Sequence, residues 1–185
     1  MPEQSPSQTV GPFFHNCLIR GDEHLLANEQ TIGQPVVIVG RVLDGDGAPV
    51  SDALVEIWQA DANGRFNHPN DPNQAEADPS FKGFGRSPTD DDGRFLFHTV
   101  KPGIISGEAV PYINAHVFAR GMLVHAVTRI YFAEQPNNEN DLVFSAVPAE
   151  RRYTLLALFE PSADIPTYRF DIHLQGEQET VFFNP

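Results

Sequence analysis

Apolar and polar positions along this chain alternate in short runs rather than recurring every three or four residues, which points to strands and not helices. Between 125 and 132, for example, His125, Val127, Arg129 and Tyr131 fall on one side while Ala126, Thr128, Ile130 and Phe132 fall on the other. Runs rich in β-branched and aromatic residues stand at 36–43, 53–60, 94–100, 113–119, 123–132, 153–159, 168–174 and 180–183. Turn-forming clusters of Asp, Asn, Gly and Pro separate them, at 44–47, 61–64, 90–93, 101–103 and 120–121. A helical repeat is almost absent, apart from a turn or two at 149–152 after Pro148. About eight short strands separated by turns predict an all-β protein, a β-sandwich.

Two stretches stand outside this pattern. Residues 1–34 have no sustained period and contain Pro2, Pro6, Gly11, Pro12, Gly21 and Gly33. Their Phe13, Phe14, Leu18, Ile19, Leu25 and Leu26 are too apolar for a free tail, so an extended N-terminal arm packing on a partner subunit is expected, ahead of a β-sandwich core at 35–185. Residues 61–93 are rich in Pro, Gly, Asp and Asn and show no strand period. Loops of that length are usually functional or disordered. Phe66, Phe81 and Phe84 favour one long ordered loop packed over a face of the sandwich.

Composition narrows the partners. The chain has 185 residues, enough for one domain with a real core, and a formal charge of −13. That charge argues against nucleic acid or an anionic membrane, since both require basic patches. An anionic ligand would need a few well-placed arginines. A single cysteine, Cys17, allows no internal disulfide and suits a reducing compartment. With no leader-like pattern in the first ten residues and no long apolar span, a cytoplasmic location is expected.

The most specific pattern begins in the first strand. Gly40, Gly47 and Val50 are followed by Val55, Glu56, Ile57, Trp58, Gln59, Ala60 and Asp61, and then by Gly64, Arg65 and Phe66. It resembles the signature of the intradiol ring-cleavage dioxygenases. Segments 7–14, 84–86, 90–103, 114–121 and 168–176 extend the likeness, which is strongest to the α chains of the two-subunit members. The resemblance implies a β-sandwich and a β subunit of similar fold, the two joined as αβ pairs in a hetero-oligomer. The implied reaction is the O2-dependent cleavage of protocatechuate (3,4-dihydroxybenzoate) to 3-carboxy-cis,cis-muconate, a step of the β-ketoadipate pathway. The family's cofactor is ferric iron held by two tyrosinates and two histidines, hard anionic and imidazole donors that suit this ion.

Set against those ligand positions, the chain is deficient. Phe66 stands where the first tyrosine belongs, and Ile104 and Ile105 stand where the second belongs, with Tyr112 too close to the next motif to replace it. The histidine pair reads Asn114-Ala115-His116. No catalytic or metal residue is therefore expected here, and the resemblance places the ferric iron in the partner β subunit. His116 alone reads as a packed strand histidine, and Tyr131 and Tyr168 as core residues with bonded hydroxyls. Two other readings remain at this level. One is a self-contained metalloenzyme using His98, His116 and His125. The other is a non-enzymatic binding module that reuses the fold.

What the chain contributes is implied by two further segments. Thr9, Gly11, Pro12 and Phe13 match the arm that lines the substrate pocket in α chains. Glycine permits close backbone approach, proline fixes the chain and removes a donor, and phenylalanine offers a flat apolar face. Arg120, at the tip between two strands, matches the residue that receives the substrate carboxylate, a role suited to the paired donors of a guanidinium. Arg129, inside a strand, is the weaker candidate for that role and is expected instead in a structural ion pair with Glu56 or Asp171.

Overall fold

The computed structural model describes residues 8–11, 13–161 and 164–184. Its strands are β1 (Pro35–Leu43), β2 (Leu54–Trp58), β3 (Phe84–Pro88), β4 (Arg94–Val100), β5 (Ile113–Phe118), β6 (Ala126–Phe132), β7 (Leu156–Glu160), β8 (Thr167–Arg169) and β9 (Ile172–His173). Hydrogen bonding runs in the order β3-β2-β5-β6-β7-β8-β1-β4, with β9 beside β1. The β6–β7 junction is short, pairing Tyr131 with Leu156 and Phe132 with Ala157. The path therefore divides there into two sheets, which face each other as a nearly closed sandwich. Inward side chains of β2 and β5, such as Val55, Ile57, Ile113 and Val117, share one core with Ile38, Phe95, Phe97 and Tyr168 of the opposite sheet.

The expected runs and the observed strands differ where a local partner replaces a ladder bond or where the inward residues are small. Within 61–93 the structure forms β3, whose inward positions are Gly85 and Ser87; such small residues leave no apolar alternation to read. The run at 168–174 is broken into β8 and β9, where the Asp171 carboxylate accepts the Arg41 N–H at 3.0 Å. The run at 153–159 begins as a 3-10 helix, Ala149–Leu155, after Pro148. The run at 180–183 is no strand: Phe183 makes one bridge to Val127. Two five-residue helices escaped the sequence reading, α1 (Phe14–Leu18) and α2 (Leu142–Ala146), because one turn and a half shows no period. Among the described residues no helix is long and apolar enough to cross a membrane.

The second half of the arm lies on its own sandwich. Leu26 is 1% exposed and belongs to the core, its N–H donating to the His98 carbonyl at 2.8 Å. The long loop is ordered by side chains acting as backbone partners. Asp61, 2% exposed, accepts from the N–H groups of Asn63 (2.8 Å) and Arg65 (3.0 Å) through Oδ1, and from Asp78 N–H (2.8 Å) through Oδ2. Asp78, also buried, accepts from Ser80 N–H (2.8 Å) and Ile32 N–H (2.7 Å). The Asp61 carbonyl accepts from Gly64 and from Gly103, at 3.1 and 2.8 Å. One buried residue thus joins the signature turn and the loop through its carboxylate, and the turn after β4 through its carbonyl.

Replacing Asp61 by alanine would release three backbone donors, that of Asp78 in a buried bond and those of Asn63 and Arg65 in part-buried ones. A buried unsatisfied donor costs roughly 1–3 kcal/mol and a part-buried one less, because water reaches it, so a net loss of about 2–4 kcal/mol is expected. Denaturant unfolding of the purified variant checks this; a loss below about 1 kcal/mol, the level of an ordinary surface change, would contradict it.

Candidate functional site

The outward side of the β3-β2-β5-β6 sheet carries both groups of residues singled out by the sequence. Register places them in rows across the strands. Trp58 pairs with Asn114, which pairs with Arg129; Glu56 pairs with both Arg86 and His116. Inward residues of these strands are uncharged and buried, apolar apart from Ser87 and Thr128, so this polar and aromatic row is what the sheet presents outside.

At one end of the row lies a cavity of about 360 Å³ whose walls include Trp58, Phe66, His68, Asp71 and Ile105. Two turns are brought together to make it. Gly64 has φ of +75°, and a Cβ there would lie 2.0 Å from the Ile104 carbonyl oxygen, so only glycine lets the turn after β4 approach so closely. Asp71 accepts the Phe66 N–H at 2.8 Å; this bond and that from Asn73 hold its carboxyl below the ordinary carboxylate range. The Phe66 ring stacks on Trp58, centroids 5.5 Å apart and nearly parallel. Phe66 and Ile105 thus face one cavity, and Asn114 and His116 follow on the adjacent strand.

The four positions that the resemblance assigns to iron ligands therefore lie on one side of the sheet, but their chemistry does not suit a ferric ion. A phenyl ring and an aliphatic side chain offer no donor, and only His116 supplies an imidazole. Burial and the neighbouring His125, opposed by Glu56, lower the His116 pKa. The tyrosines nearby are committed elsewhere. Tyr131 is buried and donates to Asp141 at 2.9 Å, and burial raises its pKa well above the usual range. Tyr112 is also raised by burial and carries the Arg129 guanidinium 3.9 Å over its ring. Tyr168 donates its hydroxyl to Glu134. The alternative histidine set does not assemble: His116 and His125 adjoin at 5.0 Å, whereas His98 lies in β4 beside His24. Among the described residues no group of three or more His, Cys, Asp or Glu is placed to hold a metal.

Arg129 corrects one expectation. Its partner is Asp141, 3.9 Å away with a wholly buried carboxylate, while Glu56 pairs with Arg86 and Asp171 with Arg169. Asp141 also caps α2, accepting from Val143 and Phe144 N–H. A residue that closes the helix following β6 is not visible in strand periodicity.

At the other end of the row the arm meets the turn between β5 and β6. The Thr9 hydroxyl oxygen accepts the Gly121 N–H at 2.8 Å, joining residues 112 apart in sequence. Phe14 of α1 packs on Phe118, with ring centroids 5.4 Å apart. Gly11 gives its carbonyl to the Phe14 N–H at 3.0 Å. A cavity of about 270 Å³ opens here, bounded by Val10, Phe14, Phe118, Met122 and His125. Around it Phe13, Leu123 and Val124 are 72%, 64% and 67% exposed. Pro12 lies outside the described residues. Arg120 forms an ion pair with Asp52, a residue the sequence reading passed over. The structure thus gathers Thr9, Gly11, Phe13 and Arg120 at one edge, away from the Phe66–Ile105 cavity.

Comparison with known proteins identifies the family. Residues 9–176 match the dioxygenase family. The chain is 43% identical over 195 residues to the protocatechuate 3,4-dioxygenase alpha chain of Burkholderia cepacia, covering 98% of each. The chain belongs to the intradiol dioxygenase family. It is also 34% identical to the protocatechuate 3,4-dioxygenase beta chain of Burkholderia cepacia, over 94% of this chain and 77% of that one. Among solved structures, the dioxygenase domain of a carbohydrate-binding fusion protein from Streptomyces sp. SirexAA-E superposes with a TM-score of 0.66 at 24% identity, over 95% of this chain and 92% of that one. At that identity the likeness concerns fold alone.

A dioxygenase chain with a phenylalanine and an isoleucine at the tyrosinate positions should show no tyrosinate-to-iron charge transfer. The isolated chain, incubated with ferric iron and desalted, is expected to be colourless and free of stoichiometric metal by elemental analysis. One iron per chain with a visible absorption band would contradict the ligand assignment.

Proposed function

We propose that this chain is the non-iron α subunit of a protocatechuate 3,4-dioxygenase, and that it supplies one wall of a substrate pocket whose iron and metal ligands belong to a β subunit. The observation that carries the reading is the junction of Thr9 with Gly121. It sets the arm directly beside Arg120 at an edge flanked by exposed Phe13, Leu123 and Val124. An exposed apolar edge with a guanidinium at its margin suits a partner chain closing over it, with an aromatic carboxylate held between. On a chain of net charge −13, a placed cation is what an anionic substrate requires.

In this reading the iron, bound by the partner, activates the catechol ring toward O2. The residues of this chain bind and orient. The Arg120 guanidinium receives the substrate carboxylate. Thr9 fixes the arm, and Gly11 and Phe13 give the ring a close, largely apolar wall that offers no competing proton. Likeness to both an α and a β chain supports an assembly of two similar folds, joined as αβ pairs in a hetero-oligomer. An exposed, unpaired Cys17 suits the cytoplasm to which we assign it. The product is 3-carboxy-cis,cis-muconate, within the β-ketoadipate pathway.

Arg120→Ala in the assembled enzyme tests the reading. A charge-assisted hydrogen bond is worth about 1.5–3 kcal/mol, which at about 1.4 kcal/mol per tenfold is a loss of roughly 10- to 150-fold. Arg120 is 59% exposed in the free chain, so the upper figure applies only if the partner excludes water from the pair. The loss should fall mainly on KM for protocatechuate, and the preference for protocatechuate over catechol, which has no carboxylate, should drop by the same factor. Equal losses for the two substrates would assign Arg120 to structure instead.

A further inference from the structure

Arg120 is paired with Asp52, a residue that is not among the matched positions of the family signature. β2 and β5 pair antiparallel with Leu54 opposite Phe118 and Val55 opposite Val117. Continuing that register past the ends of both strands sets Ala53 opposite Ala119 and Asp52 opposite Arg120, as directly facing, oppositely charged neighbours. Asp52 Oδ2 and Arg120 Nε form an ion pair in the structure. The two ends of the pair differ in exposure. The Asp52 side chain is 18% exposed and that of Arg120 59%. Oδ2 is itself buried and, among the described residues, has no hydrogen-bond partner, so the charge of the Arg120 guanidinium is what compensates it.

The position of Asp52 is rigid for reasons independent of Arg120. Its neighbour Ala53 is fully buried, and the Ala53 N–H donates to Thr89 Oγ1 at 3.0 Å. The same Thr89 hydroxyl donates to the Val50 carbonyl at 2.7 Å, so the turn leading into β2 is fastened at both ends. Arg120, by contrast, sits at a loop tip on a long flexible stem. A free arginine there would have to be ordered when substrate binds, at an entropic cost. Because Asp52 engages Nε, beside the stem, the two terminal Nη groups remain to grip a second carboxylate in parallel.

We infer that Asp52 is the positioning residue for Arg120: it holds the guanidinium ready for the substrate carboxylate and so contributes to selection of carboxylated over plain catechols. This rests on the proposed role of Arg120. Asp52 touches neither substrate nor iron, and it acts only through the arginine. Its anionic charge also offsets part of the attraction of Arg120 for an anion, so geometry and charge oppose one another when Asp52 is changed. Alanine removes both. Asparagine keeps an acceptor for Nε and removes only the charge.

The test is steady-state kinetics of the assembled enzyme with protocatechuate and catechol, using Asp52→Ala, Asp52→Asn, Arg120→Ala and the Asp52→Ala/Arg120→Ala pair. Asp52→Ala should raise KM for protocatechuate about two- to fivefold, the range an exposed ion pair allows, with kcat little changed and the protocatechuate-to-catechol preference reduced equally. Asp52→Asn should keep the preference at the wild-type level or above it. On the Arg120→Ala background, Asp52→Ala should add nothing, as expected of a residue acting through its partner. If Arg120→Ala shifts the preference but Asp52→Ala does not, or if the Asp52 effect persists without Arg120, the positioning role is overturned while the reading of Arg120 stands. If Arg120→Ala leaves the preference intact, both fall. Should the alanine variant fail to assemble, Asp52→Asn decides: a loss of preference as large as that of Arg120→Ala would refute the inference.

Discussion

The buried carboxylate of Asp61 is the constraint on which the shape of this molecule's outer face depends. It accepts three backbone N–H groups from two parts of a loop that has little regular structure of its own, while its carbonyl receives the turn after β4. A buried acceptor that satisfies several donors leaves the loop few alternatives, because releasing it unpairs one buried donor and two part-buried ones together. The main-chain carbonyl of Asp61, bonded to Gly64 and Gly103, holds the Phe66 turn and the Ile105 turn face to face. That arrangement belongs to the backbone and is indifferent to whether the side chains carried there can bind a metal. The cavity survives with a phenyl ring and an aliphatic chain in place of oxygen donors, so a shared fold does not imply a shared cofactor site.

The opposite end of the same sheet face follows a different logic. There the polar groups are few, exposed and borne by a turn and an arm, and the apolar side chains around them have no cover of their own. Register does the positioning: the β2–β5 ladder sets Trp58 beside Asn114 at one end, and continued past its last pair, Leu54 with Phe118, it leads to the Asp52–Arg120 ion pair at the other. A single antiparallel pairing thus aligns the altered metal positions and the proposed carboxylate reader. A slip of one residue would turn both sets of side chains into the core.

Much of this was legible in the residues because alternation and turn chemistry report local geometry well. Trp58, His116 and Arg129 were placed on strands, and the changes at Phe66, Ile105 and Asn114 required only the spacing of the signature. What escaped was made by long-range contacts or by short elements. β3 was hidden by Gly85 and Ser87 on its inner side, α1 and α2 by their five-residue length, and the Asp141 partner of Arg129 by a helix cap outside the strand. Asp52 could have been found, since counting outward from the β2–β5 register pairs it with Arg120. That register, however, is set by the packed sandwich and not by either strand alone.

The central claim is a division of labour, with metal in a partner chain and carboxylate recognition in this one. The most direct measurement is anomalous diffraction at the iron edge from crystals of the co-purified complex with protocatechuate bound. The account predicts an iron peak in the partner, none beside Phe66, Ile105 and His116, and the substrate carboxylate within hydrogen-bonding distance of Arg120. Iron at His116 of this chain, or a substrate whose carboxylate points away from Arg120, would contradict it.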